Sequence, residues 1–582
     1  MASVANDRPR LWGASRADNI NHRYKYGKRP HGQARDAFPV YMMNERTIAP
    51  LTPDLQPRVS SGRIALHIVA GAIALLMLLP LAYLGVRAGS AGAAQVFDML
   101  ASERTGRVVL NSLTLVFLVT VASWCIGVPF AWLTVRTDLP MRKLWTVLGA
   151  LPLVIPSYVG AYSLVAMMGP RGFVQSWLEP LGVERLPSIY GLPGAVWALT
   201  LFTYPYLFLS ARAGLQNLDP ALDEAARSLG YGPWQTFRRV TLPGLRPSLA
   251  AGSLLVALYV LSDFGAVSIL RFNSFTRAIY LQYLSSFDRT LASVLALVLV
   301  VLTILLLISA QRVQGAMREY QRAGVGAARR RQLVRLGAWR WPALLFCLGV
   351  VIACLVLPAS VVVYWLVRGL AAGESLLPVW TATANSLRAA SGAAAVAVVL
   401  ALPVAYLAVR FPSRYSTWVY RSAYLGNGLP GIVIALSLVF FGANYAPFIY
   451  QTLAMLLFAY VVRFLPEAVG TIRSGLLQIS PRLEEAARSL GLNRRQTVWR
   501  VILPLLRPGI WAGVALVFLS AMKELPATLL LGPTGFTTLA TQIWSATGEA
   551  FFTRAAAPAL ILLAVSALSM VFILRQEEIT GQ

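Results

Sequence analysis

Charged residues are scarce in this chain. They make up 13% of its 582 residues, whereas 57% of the residues are hydrophobic and the mean hydropathy is +0.62. Soluble domains contain about 25% charged residues. At this length, so little charge excludes a soluble enzyme, a disordered chain and a fibrous protein, and it indicates a protein that folds in lipid.

Residues that build metal sites and nucleotide sites are also rare. The three cysteines lie in apolar stretches without a CxxC spacing, and the three histidines form no HExxH. The chain has four lysines, and none of them closes a GxxxxGK[ST] phosphate-binding loop. We therefore expect no metal site, no cofactor and no catalytic group in this chain.

Long apolar segments are abundant instead. Twelve of them can cross about 30 Å of hydrocarbon, and they are apolar on all sides, which predicts an all-α polytopic membrane protein. The segments are residues 64–86, 108–135, 144–168, 191–211, 248–270, 290–311, 341–366, 385–409, 422–442, 447–472, 508–531 and 555–574. Residues 1–63 are polar, contain six prolines and predict a mostly disordered cytoplasmic tail.

The net charge of +27 has an uneven distribution along the chain. If the N-terminus is inside, the inner segments carry 38 Lys and Arg residues and the outer segments carry 11. Without residues 1–63 the ratio is still 27 to 11. This positive-inside bias predicts that both termini are cytoplasmic. Because the topology explains the excess charge, we expect no nucleic-acid partner.

The strongest pattern is an internal repeat. Residues 222–252 match residues 483–513 at 19 of 31 positions, an offset of 261. A second match, at an offset of 274, aligns Asn111-Ser112-Leu113 with Asn385-Ser386-Leu387, and 129–136 with 403–410. The repeat predicts two parallel six-helix halves, 64–311 and 341–575, joined by an Arg-rich cytoplasmic linker at 312–340.

The repeated loops predict a short helix on the cytoplasmic side. Asp219-Pro220 and Ser480-Pro481 are typical helix starts, and Gly230 and Gly491 are placed to end helices of about ten residues. Each helix carries a small apolar stripe of alanine and leucine. The stripe favours a docking helix for a partner protein over a hairpin that only links two spans.

The sequence of these loops resembles the EAA loop of the membrane subunits of binding-protein-dependent ABC importers of type I. This resemblance implies a non-catalytic permease of the bacterial inner membrane, served by two ABC ATPase subunits that hold ATP and magnesium, and by a periplasmic or lipid-anchored binding protein. It also implies that the ATPase contacts are Glu224, Ala225, Ala226, Gly230, Glu485, Ala486, Ala487 and Gly491. The fused chain and the segments 262–265 and 523–528 resemble ferric-iron importer permeases.

Charged residues inside the spans are candidates for function because burying them in lipid is costly. Asp263 and Glu524 are equivalent at the offset of 261, and they predict an acidic lining suited to a hard, oxygen-seeking cation. The alternative is a pair of helix-packing charges. Arg463 and Glu467 are four residues apart on one helix, and we expect them to neutralise each other.

Three alternatives remain open at the level of the sequence. Permeases for thiamine or for a small oxyanion are similar to the ferric-iron class. A secondary transporter with twelve helices would also have two six-helix halves. The paired cytoplasmic loops argue against the secondary transporter, and the substrate is left to be decided by the ligand of the binding protein.

Overall fold

The computed structural model describes residues 61–169, 172–182, 186–285, 290–321 and 333–580. They all belong to one compact unit, Ser60–Gln582. The regular structure of this part of the chain is helical, apart from one isolated bridge between Thr137 and Val334. The predicted all-α fold is confirmed. Positions 1–60 of the predicted tail and 322–332 of the predicted linker lie outside the described residues.

The first half contains thirteen described α-helices. They are α1 Ser61–Gly89, α2 Ala93–Ala101, α3 Glu103–Arg136, α4 Arg142–Ala150, α5 Ser157–Met168, α6 Phe173–Leu178, α7 Leu192–Asn217, α8 Pro220–Ser228, α9 Pro233–Thr236, α10 Leu242–Ser262, α11 Gly265–Ile269, α12 Phe275–Ser285 and α13 Thr290–Gln321. Two short segments matter for the site: a 3₁₀ turn at Leu151–Val154 and a π turn at Phe237–Thr241.

The second half repeats this order with twelve described α-helices. They are α14 Arg340–Val351, α15 Leu357–Ala371, α16 Leu377–Arg410, α17 Arg414–Tyr424, α18 Gly431–Tyr445, α19 Leu453–Gln478, α20 Pro481–Ser489, α21 Arg494–Thr497, α22 Leu503–Met522, α23 Pro526–Leu531, α24 Leu539–Gly548 and α25 Phe552–Thr580. A 3₁₀ turn at Leu425–Gly428 and π turns at Ile352–Val356 and Val498–Ile502 complete it.

The third predicted span of each half is not a continuous helix. Ten helices of the described chain are long and apolar enough to cross a membrane. The predicted span 144–168 is instead two helical pieces that differ in direction by 91°, and 422–442 is divided between α17 and α18. Pro156 and Pro430 stand directly before α5 and α18 at equivalent positions. Proline lacks an N–H and disfavours helix in the residue before it, which favours a break at both places.

The first span of each half packs against the other half. Helix α1 lies against α16, α17 and α18, and α15 lies against α5 as well as α25. Polar contacts join these pairs: Ser437 donates to the carbonyl oxygen of Pro80 at 2.5 Å, and Trp365 Nε1 donates to the Ala166 oxygen at 3.2 Å. The two halves therefore share their packing surfaces, and the site between them is built from both.

Candidate functional site

A cavity of about 380 Å³ lies between the two halves. Three kinds of element line it from both sides. They are the breaks of the third spans (Leu153–Tyr158, Gly426 and Leu429), the middle of α7 and α19, and the ends of α10 and α22 with the residues that follow them. Asp263, Glu524, Arg463 and Glu467, all selected from the sequence, line this one cavity together with Lys523.

Asp263 follows the last residue of α10, where its carboxylate is held by neutral donors. Ser157 donates its hydroxyl hydrogen to Oδ2, and the backbone N–H groups of Ala266 and Val267 lie 3.0 and 3.3 Å from Oδ1. The carboxylate thus joins the break of the third span to the start of α11. Hydrogen bonds of this kind satisfy a buried acid without a cation.

Glu524 occupies the equivalent place after α22, but a cation holds it. Arg463 Nη1 donates to Glu524 Oε1 at 3.0 Å, and the Ala527 N–H donates to the same oxygen at 3.2 Å. The side chains of Arg463 and Glu524 are 22% and 4% exposed. A Cβ at position 431 would overlap the Arg463 guanidinium and lie 2.7 Å from Glu524 Oε1. Gly431, the counterpart of Ser157, therefore leaves the space for this ion pair.

The expected pair within α19 is replaced by pairs between helices. Arg463 binds Glu524, and Glu467 accepts hydrogen bonds from Ser520 at 2.9 and 3.0 Å. Lys523 Nζ donates to the carbonyl oxygen of Leu153 at 3.3 Å, across to the other half. Helix spacing alone favours an i,i+4 contact, but α22 brings its own polar groups to the same face of α19.

The two sides of the cavity differ in charge. At the offset of 261, Arg463, Glu467 and Lys523 correspond to Phe202, Tyr206 and Ser262 of the first half. Asp263 and Glu524 are thus the symmetric pair of acids, and the second half adds two cations and one further acid. No group of three or more His, Cys, Asp or Glu residues suited to a metal ion is found in the described part of the chain. The cavity offers oxygen atoms and mixed charge, without a chelating cluster among those residues.

The repeated loops fold as the sequence predicts. The Asp219 carboxylate accepts the Ala221 N–H at 2.9 Å at the start of α8, and the Ser480 hydroxyl accepts the Arg482 N–H at 3.4 Å at the start of α20. After each helix the glycine takes a left-handed conformation, with φ +84° at Gly230 and +89° at Gly491. Such a residue turns the chain sharply and ends the helix.

One stripe of each loop helix faces outward. We define the docking face as Leu222 and Ala225 of α8 with Leu229 directly after it, and Leu483 and Ala486 of α20 with Leu490 directly after it. All six are exposed. Gly230, Glu485 and Gly491 are exposed beside it, and Glu224 is half-buried. Ala226 and Ala487 are buried within the chain. The expected partner contacts through these two alanines are therefore corrected, because helix periodicity turns them away from the docking face.

Glu484 is an acidic residue in the first turn of α20, where the sequence predicts that it favours the helix dipole, and the structure adds contacts to another helix. Its carboxylate accepts a hydrogen bond from Arg410 Nε at 2.5 Å and one from the Tyr406 hydroxyl at 3.3 Å. Arg410 also donates to the Ile479 carbonyl oxygen at 2.9 Å. The Arg410 and Glu484 side chains are 9% and 6% exposed. This buried pair fixes α20 to the end of α16, the longest helix of the second half.

The fold and the site define a class: a polytopic membrane permease with two homologous halves, a shared cavity with polar and charged lining, and a pair of exposed loop helices. The chain belongs to the family described as the binding-protein-dependent transport system inner membrane component, which matches residues 125–319 and 397–577. It is thus a multi-pass inner-membrane component of an ABC importer, in a family of non-catalytic membrane components.

Curated relatives include ferric-iron and sulfate permeases. A Fe(3+)-transport system permease protein of Haemophilus influenzae is 33% identical over 508 residues, which cover 87% of this chain and 96% of that protein. A ferric transport system permease protein of Actinobacillus pleuropneumoniae is 27% identical, over 75% of this chain and 66% of its own length. A sulfate transport system permease protein of Escherichia coli is 28% identical, over 42% of this chain and 88% of its own length.

Proposed function

We propose that this chain forms the path by which an ATP-driven importer carries ferric iron across the inner membrane. The observation that carries the proposal is the similarity to ferric-transport permeases over most of the chain. The cavity between the halves supports it, because the paired acids Asp263 and Glu524 supply oxygen atoms, the ligands that hard cations prefer. The described residues form no chelating cluster, which suits a path that must release its cargo.

The energy for transport comes from partners in this proposal. The sequence contains no GxxxxGK[ST] loop, and the two docking faces fit two ABC ATPase subunits that hold ATP and magnesium. A binding protein delivers the cargo from the periplasmic side. Six residues, Glu224, Ala225, Gly230, Glu485, Ala486 and Gly491, form or border the ATPase contact.

Reconstitution tests the substrate. The chain, its two ATPase subunits and the binding protein are placed in proteoliposomes with internal ATP, and accumulation of ⁵⁵Fe(III) is measured against labelled sulfate, molybdate and thiamine. We expect accumulation of iron that depends on ATP. A small oxyanion is the second candidate, favoured by the match to a sulfate permease and by the two cations of the cavity. Accumulation of sulfate or molybdate without iron would establish the second candidate in place of the first.

Valine at either loop glycine tests the docking assignment. Gly230→Val and Gly491→Val place a β-branched residue at φ +84° and +89°, a conformation that costs about 1–2 kcal/mol for residues other than glycine. We expect each change to displace the docking face and reduce ATPase stimulation by the binding protein at least fivefold. The membrane level of the chain should stay near normal.

Gly232→Val is the matched control for the loop variants. Gly232 lies two residues after Gly230, is exposed, and a Cβ there meets no atom within 4 Å. We expect this variant to retain normal stimulation. Full stimulation in complexes of both Gly230→Val and Gly491→Val would contradict the docking assignment.

Reporter tags test the orientation that the charge bias predicts. Tags at positions 30, 325 and 580 should report the cytoplasm, and a tag at 180 should report the periplasm, because lysine and arginine are concentrated on the inner side. Accessibility to a membrane-impermeant reagent is the measurement. A periplasmic result at position 325 would contradict the arrangement in two parallel halves, since the repeated loops would then face opposite sides.

A further inference from the structure

We propose that a second cavity, beside the loop helix α20, binds the headgroup of an anionic phospholipid. This cavity has a volume of about 800 Å³ and shares no lining residue with the cavity between the halves. Its lining comes from the start of α1, the ends of α16 and α19, the helices α20 and α21, and the start of α22. Because long apolar helices begin and end here, the cavity lies at the boundary between hydrocarbon and water.

The lining combines basic and apolar side chains. Its charged members are five arginines and two glutamates: Arg63, Arg410, Arg488, Arg494, Arg495, Glu484 and Glu485. Arg410 and Glu484 pair with each other, which leaves four positive charges against one negative charge. The apolar part includes the buried residues Leu476, Ile502 and Leu506. An anionic phospholipid has the complementary composition, because it joins a phosphate to acyl chains, and basic pockets between membrane helices bind such headgroups.

Two cations of the lining are available to a ligand. Arg63, in the first turn of α1, is exposed, and its guanidinium carbon lies 5.1 Å from the centre of the Phe411 ring. Arg495, on α21, is exposed as well. Within the described part of the chain, neither arginine has an ion-pair partner. A guanidinium donates paired hydrogen bonds to phosphate oxygens, so both residues suit a phospholipid headgroup.

The first half carries aromatic side chains at the equivalent positions. At the offset of 261, Arg495 and Val498 correspond to Trp234 and Phe237. The centre of the Phe237 ring lies 5.7 Å from that of Trp234 and 6.3 Å from that of Trp132 on α3. The repeated fold therefore does not require arginine at this place. The second half differs by carrying arginine and valine instead of a stacked tryptophan and phenylalanine.

The proposed ATPase contact uses the other face of α20. Pro481, Glu484 and Arg488 line the cavity, whereas Leu483 and Ala486 belong to the docking face. Successive residues of a helix are about 100° apart, which puts these two sets on opposite sides of α20. A subunit bound to the docking face therefore leaves the cavity to a ligand from the membrane.

Native mass spectrometry tests the ligand. The full chain is purified in mild detergent, delipidated and titrated with phosphatidylglycerol or with phosphatidylcholine, each with and without a large excess of inorganic phosphate. We expect one phosphatidylglycerol to bind at least tenfold more tightly than phosphatidylcholine, and phosphate not to displace it. Equal affinity for the two lipids overturns the inference, and displacement by phosphate would replace the lipid with a soluble oxyanion. The measurement involves neither iron nor ATP, so its outcome is independent of the transported substrate.

Variants of Arg495 test the location of the site. The double variant Arg495→Trp/Val498→Phe introduces the aromatic pair that the first half carries. We expect it to weaken binding of phosphatidylglycerol at least tenfold, because it removes a cation and occupies the cavity. Arg495→Ser removes the same charge without adding volume, and we expect at least threefold weaker binding. Detergent-extracted yield and melting temperature verify that each variant is folded.

Arg500→Ser is the matched control for these variants. Arg500 is an exposed arginine of the same loop, and it lies outside the lining of the cavity. The substitution removes one positive charge, so a general effect of charge would weaken binding as much as Arg495→Ser does. We expect Arg500→Ser to bind phosphatidylglycerol like the wild type. Equal losses in these two variants, or wild-type binding in both Arg495 variants, would overturn the assignment to this cavity.

Discussion

Glu524→Gln should slow ATP-dependent iron uptake more than tenfold and lower the melting temperature of the complex. The substitution preserves size but leaves the Arg463 cation without its ion-pair partner at 3.0 Å. Breaking a buried pair by removing one member costs about 3–5 kcal/mol, and the partial exposure of Arg463 places the expected cost near the lower limit. Uptake of ⁵⁵Fe and thermal unfolding of the purified complex are the two measurements.

Asp263→Asn is the matched comparison for Glu524→Gln. It removes the same charge, but among the described residues no cation forms an ion pair with Asp263, and an asparagine still accepts the backbone N–H groups that now bind Oδ1. We therefore expect a smaller loss of stability, with uptake slowed through the loss of negative charge in the cavity. Unchanged uptake in the double variant would show that the two acids serve helix packing alone.

Glu484→Gln should uncouple ATP hydrolysis from transport. The buried carboxylate joins α20 to α16 through Arg410 at 2.5 Å and Tyr406 at 3.3 Å. Without the charge, Arg410 stays buried beside a neutral amide, a loss of about 3 kcal/mol at this joint. The exposed docking face itself is unchanged. We expect the ATPase subunits to copurify normally while iron uptake per ATP hydrolysed falls about tenfold.

Arg488→Gln provides the control for this prediction. Arg488 is also near Glu484, but the two groups are 3.8 Å apart and the Arg488 side chain is 46% exposed. Exposed ion pairs contribute about 0–1 kcal/mol, so we expect nearly normal coupling. If Glu484→Gln and Arg488→Gln behaved alike, the buried joint with α16 would have no special part in coupling.

The sequence predicted the elements of this molecule better than the contacts between them. Repetition located Asp263 and Glu524 because equal offsets mark equal places in two copies of one fold. The glycines at 230 and 491 were predictable because few residues besides glycine accept a left-handed helix end. Neither prediction requires knowledge of which helices pack against each other.

The partner of Arg463 could not be predicted in this way. Arg463 and Glu467 are four residues apart, but the pair that forms joins α19 to the end of α22, 61 positions away. Whether Arg463 can reach Glu524 depends on the space beside Gly431, where a Cβ would overlap the guanidinium. Gly431 is the first residue of α18, which belongs to a broken span. One signal in the sequence pointed to this difference between the halves. After the equivalent prolines Pro156 and Pro430, the first half has Ser157 and the second half has Gly431.

Because both halves belong to one chain, the two sides of the cavity can carry different residues. In a homodimer every residue near the two-fold axis occurs twice, so a substitution that adds Arg463 on one side adds a second arginine on the other. The fused chain escapes this constraint. One side retains Phe202 and Ser262 while the other acquires Arg463 and Lys523. Tandem duplication thus allows the cavity to carry its cations on one side only. Strict two-fold symmetry would forbid such an uneven distribution of charge.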